Sequence, residues 1–401
     1  MGKEPVGIVG AGLIGLATAR RLAQSGIPVL VWEKEAAVAQ HQSGHNSGVA
    51  HAGIYYQPGS AKAKNCRRGV ELLRPYCAEH GLPWDERGKL VVARDEVETQ
   101  RLREIERRSQ ANGVPGVLWL DGPDIRALEP DVAGVAALLS PTTAIVDFPG
   151  IARAYAADVT EAGGQILTSS PVTAVRRRGD GVQVVTPGGT HPVSRLVICA
   201  GLQTDLLARA AGDEAAPEIV PFRGEYLRLR PEVRSRVHHL IYPVPDPAYP
   251  FLGVHLTPRT DGEVDIGPNA VLALAREGYR WRDVSAGQLA RLARSASFRA
   301  LARQNWRAGL REMRGSLSQR AFLAEARSYL PWIESSHVGP APAGVRAQAV
   351  DPDGSLVDDF RIHRIGPVIA IRNAPSPAAT SSMAIAEQIV AELSLCPAQE
   401  G

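Results

Sequence analysis

The sequence predicts an α/β protein in which a domain built on a parallel sheet is interrupted by an inserted domain of antiparallel strands and helices. Three observations support this prediction. A strand, a helix and a second strand follow one another within the first 32 residues, as in the βαβ unit of a parallel sheet. Segments in the middle of the chain alternate between apolar and polar residues, as half-buried antiparallel strands do. A later apolar strand, Leu196 to Ala200, ends at Gly201 and is expected to return to the first sheet.

Composition limits the class of protein. The chain has 401 residues, of which 44% are hydrophobic, enough to bury a large core in two domains. A formal net charge of +3 lacks the strong positive field typical of nucleic-acid binding, so no nucleic-acid partner is expected. The cysteines show no metal-binding spacing, so we expect reduced thiols and no metal site. They are Cys66, Cys77, Cys199 and Cys396.

The ends of the chain and its apolar runs give an expectation about location. The first five residues lead directly into a short strand, without the long apolar segment of a secretory signal. No stretch stays apolar for the roughly 20 residues that a membrane span requires. We therefore expect a cytoplasmic protein, with any membrane contact made peripherally at the inner face of the cell membrane.

The elements of the first domain can be assigned in order. Val6 to Val9 is predicted as a buried strand, Leu13 to Ser25 as a helix ending at a glycine, and Pro28 to Trp32 as the second strand. Val172 to Val175 and Val182 to Thr186 are predicted to pair as a hairpin. We expect the strands of this hairpin to return to the first sheet.

The inserted domain is predicted to combine a sheet with helices. It begins with a strand at Lys89 to Ala93 and a polar helix at Glu96 to Asn112. Its antiparallel sheet is expected to include Glu225 to Leu229, Phe251 to Leu256 and Glu263 to Gly267. These assignments place the first domain at 1–85, 146–220 and 345–401, and the inserted domain at 86–145 and 221–344.

A helical region rich in arginine is predicted at 285–329. Between Arg276 and Arg327 there are twelve arginines and four acidic residues. One interpretation is a solvated helical face, and the other is docking on a membrane surface or a partner. The residues expected to form one apolar face are Leu289, Leu292, Ala293, Ala296 and Leu301.

A glycine-rich turn follows the first strand. Its sequence is Gly10-Ala11-Gly12-Leu13-Ile14-Gly15, it opens a helix, and Glu33 ends the next strand. In this Rossmann fingerprint the first glycine allows the tight turn, the second lets the backbone approach a pyrophosphate, and the third allows close helix packing. Glu33 can accept hydrogen bonds from ribose hydroxyls, and its charge would repel a 2′-phosphate. The turn therefore predicts a dinucleotide site, for NAD or FAD.

The choice of cofactor comes from a resemblance. The N-terminal fingerprint, the inserted antiparallel domain and the return through Cys199-Ala200-Gly201 resemble the glutathione-reductase-like flavin fold and, within it, the D-amino-acid oxidase superfamily. The segment from His45 to Tyr56 resembles a signature of the L-2-hydroxyglutarate dehydrogenase/oxidase family. Further matching stretches are Pro221–Tyr226, Leu240–Pro247, Phe251–Thr257, Gly267–Ala270, Val357–Phe360 and Arg372–Ser382.

This resemblance implies an FAD-dependent oxidation of L-2-hydroxyglutarate to 2-oxoglutarate. Hydride would pass from the substrate α carbon to flavin N5, and oxygen or a quinone would accept the electrons. A loop before a helix from about Thr380 to Leu395 is expected to face the flavin ring and stabilise its negative charge when reduced. The residues expected to contact FAD are Gly10, Gly12, Leu13, Ile14, Gly15, Glu33, Lys34, His45, Asn46, Ser47, Gly48, Val172, Ala200, Gly201, Ala374, Pro375, Ser376, Pro377 and Ala378.

Two histidines are candidate bases. His51 lies in the segment that family relatives place beside the flavin, where it could remove a proton or only hydrogen-bond the ring. His255 lies in an alternating strand, opposite Leu252, Val254 and Leu256, and is expected to face a cavity. The sequence leaves open which histidine acts as the base.

The two carboxylates of a hydroxy diacid predict at least one cationic clamp, best supplied by the guanidinium fork of arginine. The residues expected to bind the substrate are Lys62, Arg223 and Arg361, with Tyr55, Tyr56, Tyr226 and Asn373. Two alternatives stay open at this point. One is an enzyme of the same superfamily acting on an amino acid or glycerol 3-phosphate, and the other is a non-catalytic flavin-binding module for electron transfer or docking.

Overall fold

A computed structural model describes residues 4–247 and 253–394 of the chain. The strands are β1 Val6–Val9, β2 Val29–Trp32, β3 Val49–Ala50, β4 Trp84–Asp85, β5 Lys89–Ala93, β6 Leu118–Asp121, β7 Ala136–Ser140, β8 Ala144–Val146, β9 Gln165–Leu167, β10 Ala174–Arg178, β11 Gly181–Thr186, β12 Gly189–Val193, β13 Arg195–Ile198, β14 Glu218–Gly224, β15 Leu227–Leu229, β16 Leu240–Pro243, β17 His255–Pro258, β18 Val264–Gly267, β19 Val271–Leu272, β20 Val338–Pro340, β21 Gly344–Val350, β22 Arg361–Ile365 and β23 Val368–Asn373. The helices are α1 Leu13–Gln24, α2 Ala61–Glu79, α3 Glu96–Ala111, α4 Gly122–Leu128, α5 Phe148–Glu161, α6 Thr204–Ala210, α7 Ala286–Arg294, α8 Ala296–Leu317, α9 Gln319–Ala326 and α10 Ser382–Ser394.

The first sheet has the strand order β22-β23-β13-β1-β2-β9. Its strands are parallel except for the antiparallel pair β22 and β23. One face packs against helices α1, α2, α5 and α10 in the largest apolar core. Because β13 pairs directly with β1, the predicted return of the 196–200 strand to this sheet is confirmed.

The predicted hairpin forms, but its sheet is a separate one. Strands β10 and β11 pair with each other and with β12 in a three-stranded antiparallel sheet. Val175, Val182 and Val184 then cover the face of the first sheet opposite the helices. The expectation that the hairpin strands join the first sheet is therefore wrong, because they pack against its face through their side chains.

The second large sheet has eight strands in the order β20-β15-β18-β17-β16-β5-β7-β6. Its pairs are antiparallel except for β16 and β5, which are parallel, so the predicted antiparallel sheet is in fact mixed. Strand β17 begins at His255, later than the predicted start at Phe251, which lies outside the described residues. Helix α9 packs on one face of this sheet.

A third sheet, β19-β14-β21, spans the two predicted domain boundaries at 220/221 and 344/345. Along the chain, β14 lies between β13 of the first sheet and β15 of the eight-stranded sheet. Strand β21 lies between β20 of the eight-stranded sheet and β22 of the first sheet. The predicted division into domains stays a prediction.

The arginine-rich region forms the predicted helices α7, α8 and α9, with an interruption of the helical backbone at Asn305. Its buried side differs from the predicted apolar face. Leu292 and Leu301 are buried in a core with Val220 on β14 and Val350 on β21. Ala293 and Ala296 are exposed, because they lie outside this core. Among residues 4–247 and 253–394, no helix combines the length and apolar character needed to cross a membrane.

Candidate active site

A cavity of about 600 Å³ lies where the first sheet, the third sheet and the eight-stranded sheet approach one another. It extends from the glycine-rich turn after β1 to His255 at the start of β17. Loops that follow β2 and β23 form its walls, together with β21. The carboxyl ends of parallel strands and the loops beyond them are the usual location of a ligand in such sheets.

The glycine-rich turn has the geometry that a phosphate cradle requires. Gly10 has φ +101°, and a Cβ there would lie 2.5 Å from the carbonyl oxygen of Cys199, the residue after β13. A Cβ on Gly15 would lie 2.0 Å from the carbonyl oxygen of Gly10, so this position also excludes a side chain. Gly12 caps the N-terminus of α1, and Ser43 Oγ accepts a hydrogen bond from the Leu13 amide at 3.0 Å. The turn therefore brings backbone amides and the positive end of a helix dipole to the cavity.

Glu33 and Lys34 lie beside this turn and do not line the cavity. The buried carboxylate of Glu33 accepts hydrogen bonds from the amides of Ala11 and Glu35, at 2.8 and 2.9 Å. Lys34 Nζ lies 2.9 Å from a Glu277 carboxylate oxygen and 2.7 Å from His41 Nε2. Glu35, His41 and Glu277 are close enough together to suggest a cation site, but the Lys34 ammonium already contacts all three.

His51 contributes a ring to the cavity wall. Its Nδ1 lies 3.3 Å from Lys89 Nζ, and its Nε2 lies 3.4 Å from Ser376 Oγ. Its backbone amide donates to Thr380 Oγ1 and its carbonyl oxygen accepts from Cys66 Sγ, both at 3.1 Å. Burial and the positive charges nearby lower the pKa of His51 well below its ordinary 6.5, so the ring is neutral at neutral pH.

His255 reaches the cavity from the other sheet. Its Nδ1 lies 2.8 Å from the Gly253 carbonyl oxygen, and its ring stacks on Tyr242 with 3.9 Å between centroids. A carbonyl accepts only, so Nδ1 carries the proton and Nε2 keeps a lone pair. Burial lowers the pKa of His255 to about 3. The imidazole is therefore a neutral hydrogen-bond acceptor at Nε2.

Cationic and phenolic groups line the same cavity. Arg346 on β21 and Lys62 on α2 both contribute to its lining, and Lys62 Nζ also pairs with Asp358 at 2.6 Å. The rings of Tyr55 and Tyr226 line it as well. The Tyr55 hydroxyl is buried without a hydrogen-bond partner in the described structure, so it is free to donate to a ligand.

Two predicted substrate ligands lie elsewhere. Arg223 is 1% exposed, forms an ion pair with Glu225 and stacks under Trp281. Arg361 makes a bidentate pair with Asp351, with both N–O distances 2.6 Å. Neither side chain lines the cavity. We therefore do not include either arginine in the proposed substrate site, because neither reaches the cavity in this structure.

The loop after β23 closes one side of the cavity, as the sequence predicts. Residues 374–380 line it, and helix α10 begins at Ser382 rather than at Thr380. The predicted end of this helix, Leu395, lies outside the described residues. Asn373 also lines the cavity, but its side-chain amide donates to the carbonyl oxygens of Val357 and Asp359, each at 2.9 Å. Its side chain therefore holds the loop before β22.

The structure brings most predicted ligands to one cavity. Those that line it are Gly12, Leu13, Ile14, Gly15, His45, Asn46, Ser47, His51, Tyr55, Tyr56, Lys62, Gly201, Tyr226, His255, Asn373, Ala374, Pro375, Ser376, Pro377 and Ala378. Predicted cofactor ligands outside its lining are Gly10, Glu33, Lys34, Gly48, Val172 and Ala200. Gly48 and Ala200 are next to lining residues in sequence, whereas Val172 packs in the apolar core between the first sheet and the hairpin.

Several residues at the site were not predicted, and three of them bear on its chemistry. Arg346 and Tyr242 line the cavity, and Lys89 lies behind His51. Tyr242 belongs to a stretch that carries the family resemblance, and Lys89 is a lone charge at the start of the apolar run Lys-Leu-Val-Val-Ala. The pattern of a lysine followed by four apolar residues is visible in the sequence. The contact of this lysine with His51 cannot be inferred from the sequence, because the two residues are 38 positions apart.

The cavity suits a flavin dinucleotide. The turn at Gly12–Gly15 offers amides to a pyrophosphate, and the loop 374–378 lies next to His51, where an isoalloxazine ring would be held. The buried hydroxyls of Tyr55 and Thr204 line the cavity without a partner in the described structure, as expected for groups that meet a polar ligand.

Comparisons with known proteins give the same picture. The family described as "FAD dependent oxidoreductase" matches residues 5–393. The chain is 43% identical to L-2-hydroxyglutarate dehydrogenase of Escherichia coli, over 96% of this chain and 92% of that protein. It is 45% identical to the mitochondrial enzyme of that name from Nematostella vectensis, over 96% and 89%.

Solved structures share the fold at lower identity. L-alpha-glycerophosphate oxidase from Mycoplasma pneumoniae with FAD bound superposes with a TM-score of 0.80 at 24% identity, covering 98% of this chain and 95% of that one. Glycine oxidase from Geobacillus kaustophilus gives a TM-score of 0.74 at 21% identity, covering 100% and 96%. The predicted α/β architecture is thus confirmed.

Proposed function

We propose a function on the premise that this chain belongs to the FAD-dependent oxidoreductases and, within them, to the L-2-hydroxyglutarate dehydrogenase family. FAD is the cofactor, as the sequence predicts. The proposed reaction oxidises L-2-hydroxyglutarate to 2-oxoglutarate. When bound, FAD would supply a hydride acceptor at N5, with oxygen or a quinone as the final electron acceptor. The observation that carries this proposal is the convergence of His51, His255 and Arg346 on one cavity with the glycine-rich turn.

His255 is the proposed base. Removing the substrate's hydroxyl proton as hydride leaves requires an acceptor with a free lone pair, and Nε2 of His255 has one because Nδ1 donates to Gly253. The pKa of about 3 keeps the ring unprotonated before substrate binds. A bound dianion adds negative charge beside the ring and raises the pKa of His255, which favours proton uptake during the reaction.

The diacid is proposed to bind between cations and phenols. Arg346 can hold one carboxylate through its guanidinium fork, and Lys62 can neutralise the other. The unpartnered Tyr55 hydroxyl, with Tyr56 and Tyr226, can donate further hydrogen bonds. The pairing of Lys62 with Asp358 is compatible with this role, because Asp358 is itself 93% exposed in its side chain and therefore well hydrated.

His51 is proposed to donate rather than accept. Lys89 can donate to its Nδ1, which places the ring proton on Nε2 next to Ser376. From this position an N–H can stabilise negative charge that develops on the substrate oxygen or on the cofactor. We thus propose that both histidines take part, with His51 as the hydrogen-bond donor and His255 as the proton acceptor.

Anaerobic reduction tests the substrate. The purified enzyme with bound FAD is mixed without oxygen with L-2-hydroxyglutarate, D-2-hydroxyglutarate, glycine or glycerol 3-phosphate, and the flavin absorbance is followed. We expect rapid bleaching by L-2-hydroxyglutarate alone, with one 2-oxoglutarate formed per FAD. Bleaching by glycine or glycerol 3-phosphate, with none by L-2-hydroxyglutarate, would assign the enzyme to another substrate. Bound FAD that no compound bleaches would favour the non-catalytic alternative.

We also propose that helix α8 docks on an anionic membrane, at the inner face of the cell membrane. Trp306, Leu310 and Leu317 are 54%, 61% and 74% exposed. Their spacing of four and seven residues places them on one stripe of the helix. Exposed arginines lie along one side of this stripe at 303, 307, 311 and 314. An apolar stripe beside a row of cations fits a lipid surface with negative headgroups, where a quinone acceptor dissolves.

Vesicle sedimentation tests the docking. We expect the protein to pellet with phosphatidylglycerol vesicles and not with phosphatidylcholine vesicles, and the triple variant Trp306→Ser, Leu310→Ser, Leu317→Ser to stay in the supernatant. Val97→Ser is the control, because Val97 is 59% exposed on α3 and lies outside the stripe. Equal pelleting of the triple variant would refute the docking. Oxygen-consumption and quinone-reduction rates on the same preparation then identify the acceptor.

A further inference from the structure

Lys89 is a buried lysine behind the active-site wall. It is 1% exposed and begins β5 in the middle of the eight-stranded sheet. Side chains at alternate positions of a strand share a face, and Val91 and Ala93 on this face pack against Ala52 and Ile54. Lys89 therefore points at the segment that carries His51.

The surroundings of Lys89 contain no counter-charge among the described residues. Its Nζ lies 3.3 Å from His51 Nδ1, 4.3 Å from the ring centroid of Tyr242 and 5.2 Å from that of Tyr55. No described carboxylate pairs with it. Burying an ammonium without a carboxylate is costly, and an apolar side chain would fill the same space without that cost. Packing therefore does not account for a lysine here, whereas a hydrogen bond to His51 does.

We propose that Lys89 is a positioning residue, which donates a hydrogen bond from Nζ to His51 Nδ1 and so keeps the His51 proton on Nε2, facing the cavity. The two histidines then present opposite groups to one ligand. His255 donates from Nδ1 to Gly253 and offers a lone pair at Nε2, while His51 accepts at Nδ1 and offers an N–H at Nε2. This inference rests on the proposed function through the role of His51 as donor.

The same contact predicts a pH dependence. Burial lowers the pKa of Lys89 from 10.5 to about 7. Above that pH the neutral amine can also accept a proton from Nδ1–H of His51, so the tautomer is no longer fixed. Flavin reduction should therefore slow as the pH rises through 7. The titratable groups that face Lys89 are His51, His255, Tyr55, Tyr242 and Cys66.

The kinetic test is a double-mutant cycle on the FAD-loaded enzyme. Lys89→Met removes the donor, Lys89→Gln keeps a neutral N–H donor, and Lys64→Met is the control, since Lys64 is an exposed lysine on α2. We expect Lys89→Met to lower the anaerobic rate of flavin reduction about 10- to 100-fold, as for loss of a hydrogen bond to a charged group. We expect it to abolish the decline above pH 7. In a His51→Ala background the same change should lower the rate less than about twofold.

A tautomer measurement gives a readout independent of turnover. In oxidised enzyme with ¹⁵N-labelled histidine, the His51 signal is identified by its absence in His51→Ala. We expect protonation at Nε2 in the wild type and in Lys89→Gln, and a mixture of tautomers in Lys89→Met. A wild-type proton on Nδ1, an unchanged tautomer in Lys89→Met, or equal rate losses in both backgrounds would overturn the proposal. A wild type that fails to reduce with L-2-hydroxyglutarate would instead count against the proposed function, and the tautomer result would still stand.

Discussion

Replacing His255 by glutamine separates proton removal from binding and stability. Glutamine keeps polar atoms near the Gly253 carbonyl but cannot take up a proton. Loss of a general base lowers the rate about 10²- to 10⁴-fold, which corresponds to ~3–5 kcal/mol of transition-state stabilisation. The structural loss is smaller. The stacking on Tyr242, with 3.9 Å between ring centroids, contributes about 1 kcal/mol.

Stopped-flow measurement of flavin reduction by L-2-hydroxyglutarate in the absence of oxygen tests this prediction. We expect the reduction rate constant to fall at least about 100-fold, while the Kd for the product 2-oxoglutarate, read from the flavin spectrum, changes less than about threefold. His238→Gln is the matched control, because the His238 side chain is exposed and does not line the cavity. It should react like the wild type.

The pH profiles give a second check on the same residue. Because the pKa of His255 is about 3 in the free enzyme, kcat/KM should show no loss from its protonation above pH 5. The bound dianion raises this pKa, so the acid limb of kcat should lie at higher pH than that of kcat/KM. Retention of wild-type reduction rates by His255→Gln would refute His255 as the base.

Three further predictions follow from the same site. Tyr55→Phe should raise KM for L-2-hydroxyglutarate about tenfold without lowering Tm, because the buried hydroxyl has no partner to lose in the described structure; an unchanged KM would exclude it as a ligand. Gly15→Ala should give a protein without bound FAD by absorbance, because the added Cβ would lie 2.0 Å from the Gly10 carbonyl oxygen; full FAD content would contradict this. Lys89→Met should raise Tm at pH 7, because burial disfavours the ammonium. Between about pH 7 and 10.5 the unfolded state keeps this proton while the folded state loses it. The wild type therefore gains stability as pH rises, and the Tm advantage of Lys89→Met shrinks. A difference in Tm between the two proteins that stays constant from about pH 7 to 10 would refute this assignment.

The sequence was most informative where a structural requirement is local. The glycine spacing after β1 predicts the phosphate turn because the contacts of Gly10 and Gly15 follow from one strand–turn–helix unit. The hairpin β10–β11 was predicted for the same reason. Its sheet was assigned wrongly, because pairing with a distant strand and packing on its face have the same local pattern.

The same difference between local and long-range contacts applies to the residues of the site. The ion pair of Arg223 could have been anticipated from sequence, because Glu225 is two positions away and can share a face with it in an extended segment. The pair of Arg361 with Asp351 is harder to anticipate, since Asp351 lies ten positions away at the other end of the β21–β22 connection. Arg346 and Lys89 reach the site through the third sheet and the eight-stranded sheet, whose order no local pattern specifies.

The arrangement also explains how two histidines in one cavity can have different roles. Both pKa values are lowered, so neither ring carries charge at neutral pH, and the partner of each Nδ1 decides what its Nε2 can do. A carbonyl behind His255 enforces an acceptor at Nε2, and a lysine behind His51 enforces a donor. The carbonyl of Gly253 belongs to the backbone and is not removed by a side-chain substitution, whereas the donor to His51 depends on one side chain. The tautomer of His51 is therefore the feature of this site most exposed to a single substitution, and the one that a change at position 89 can remove without touching the cavity lining.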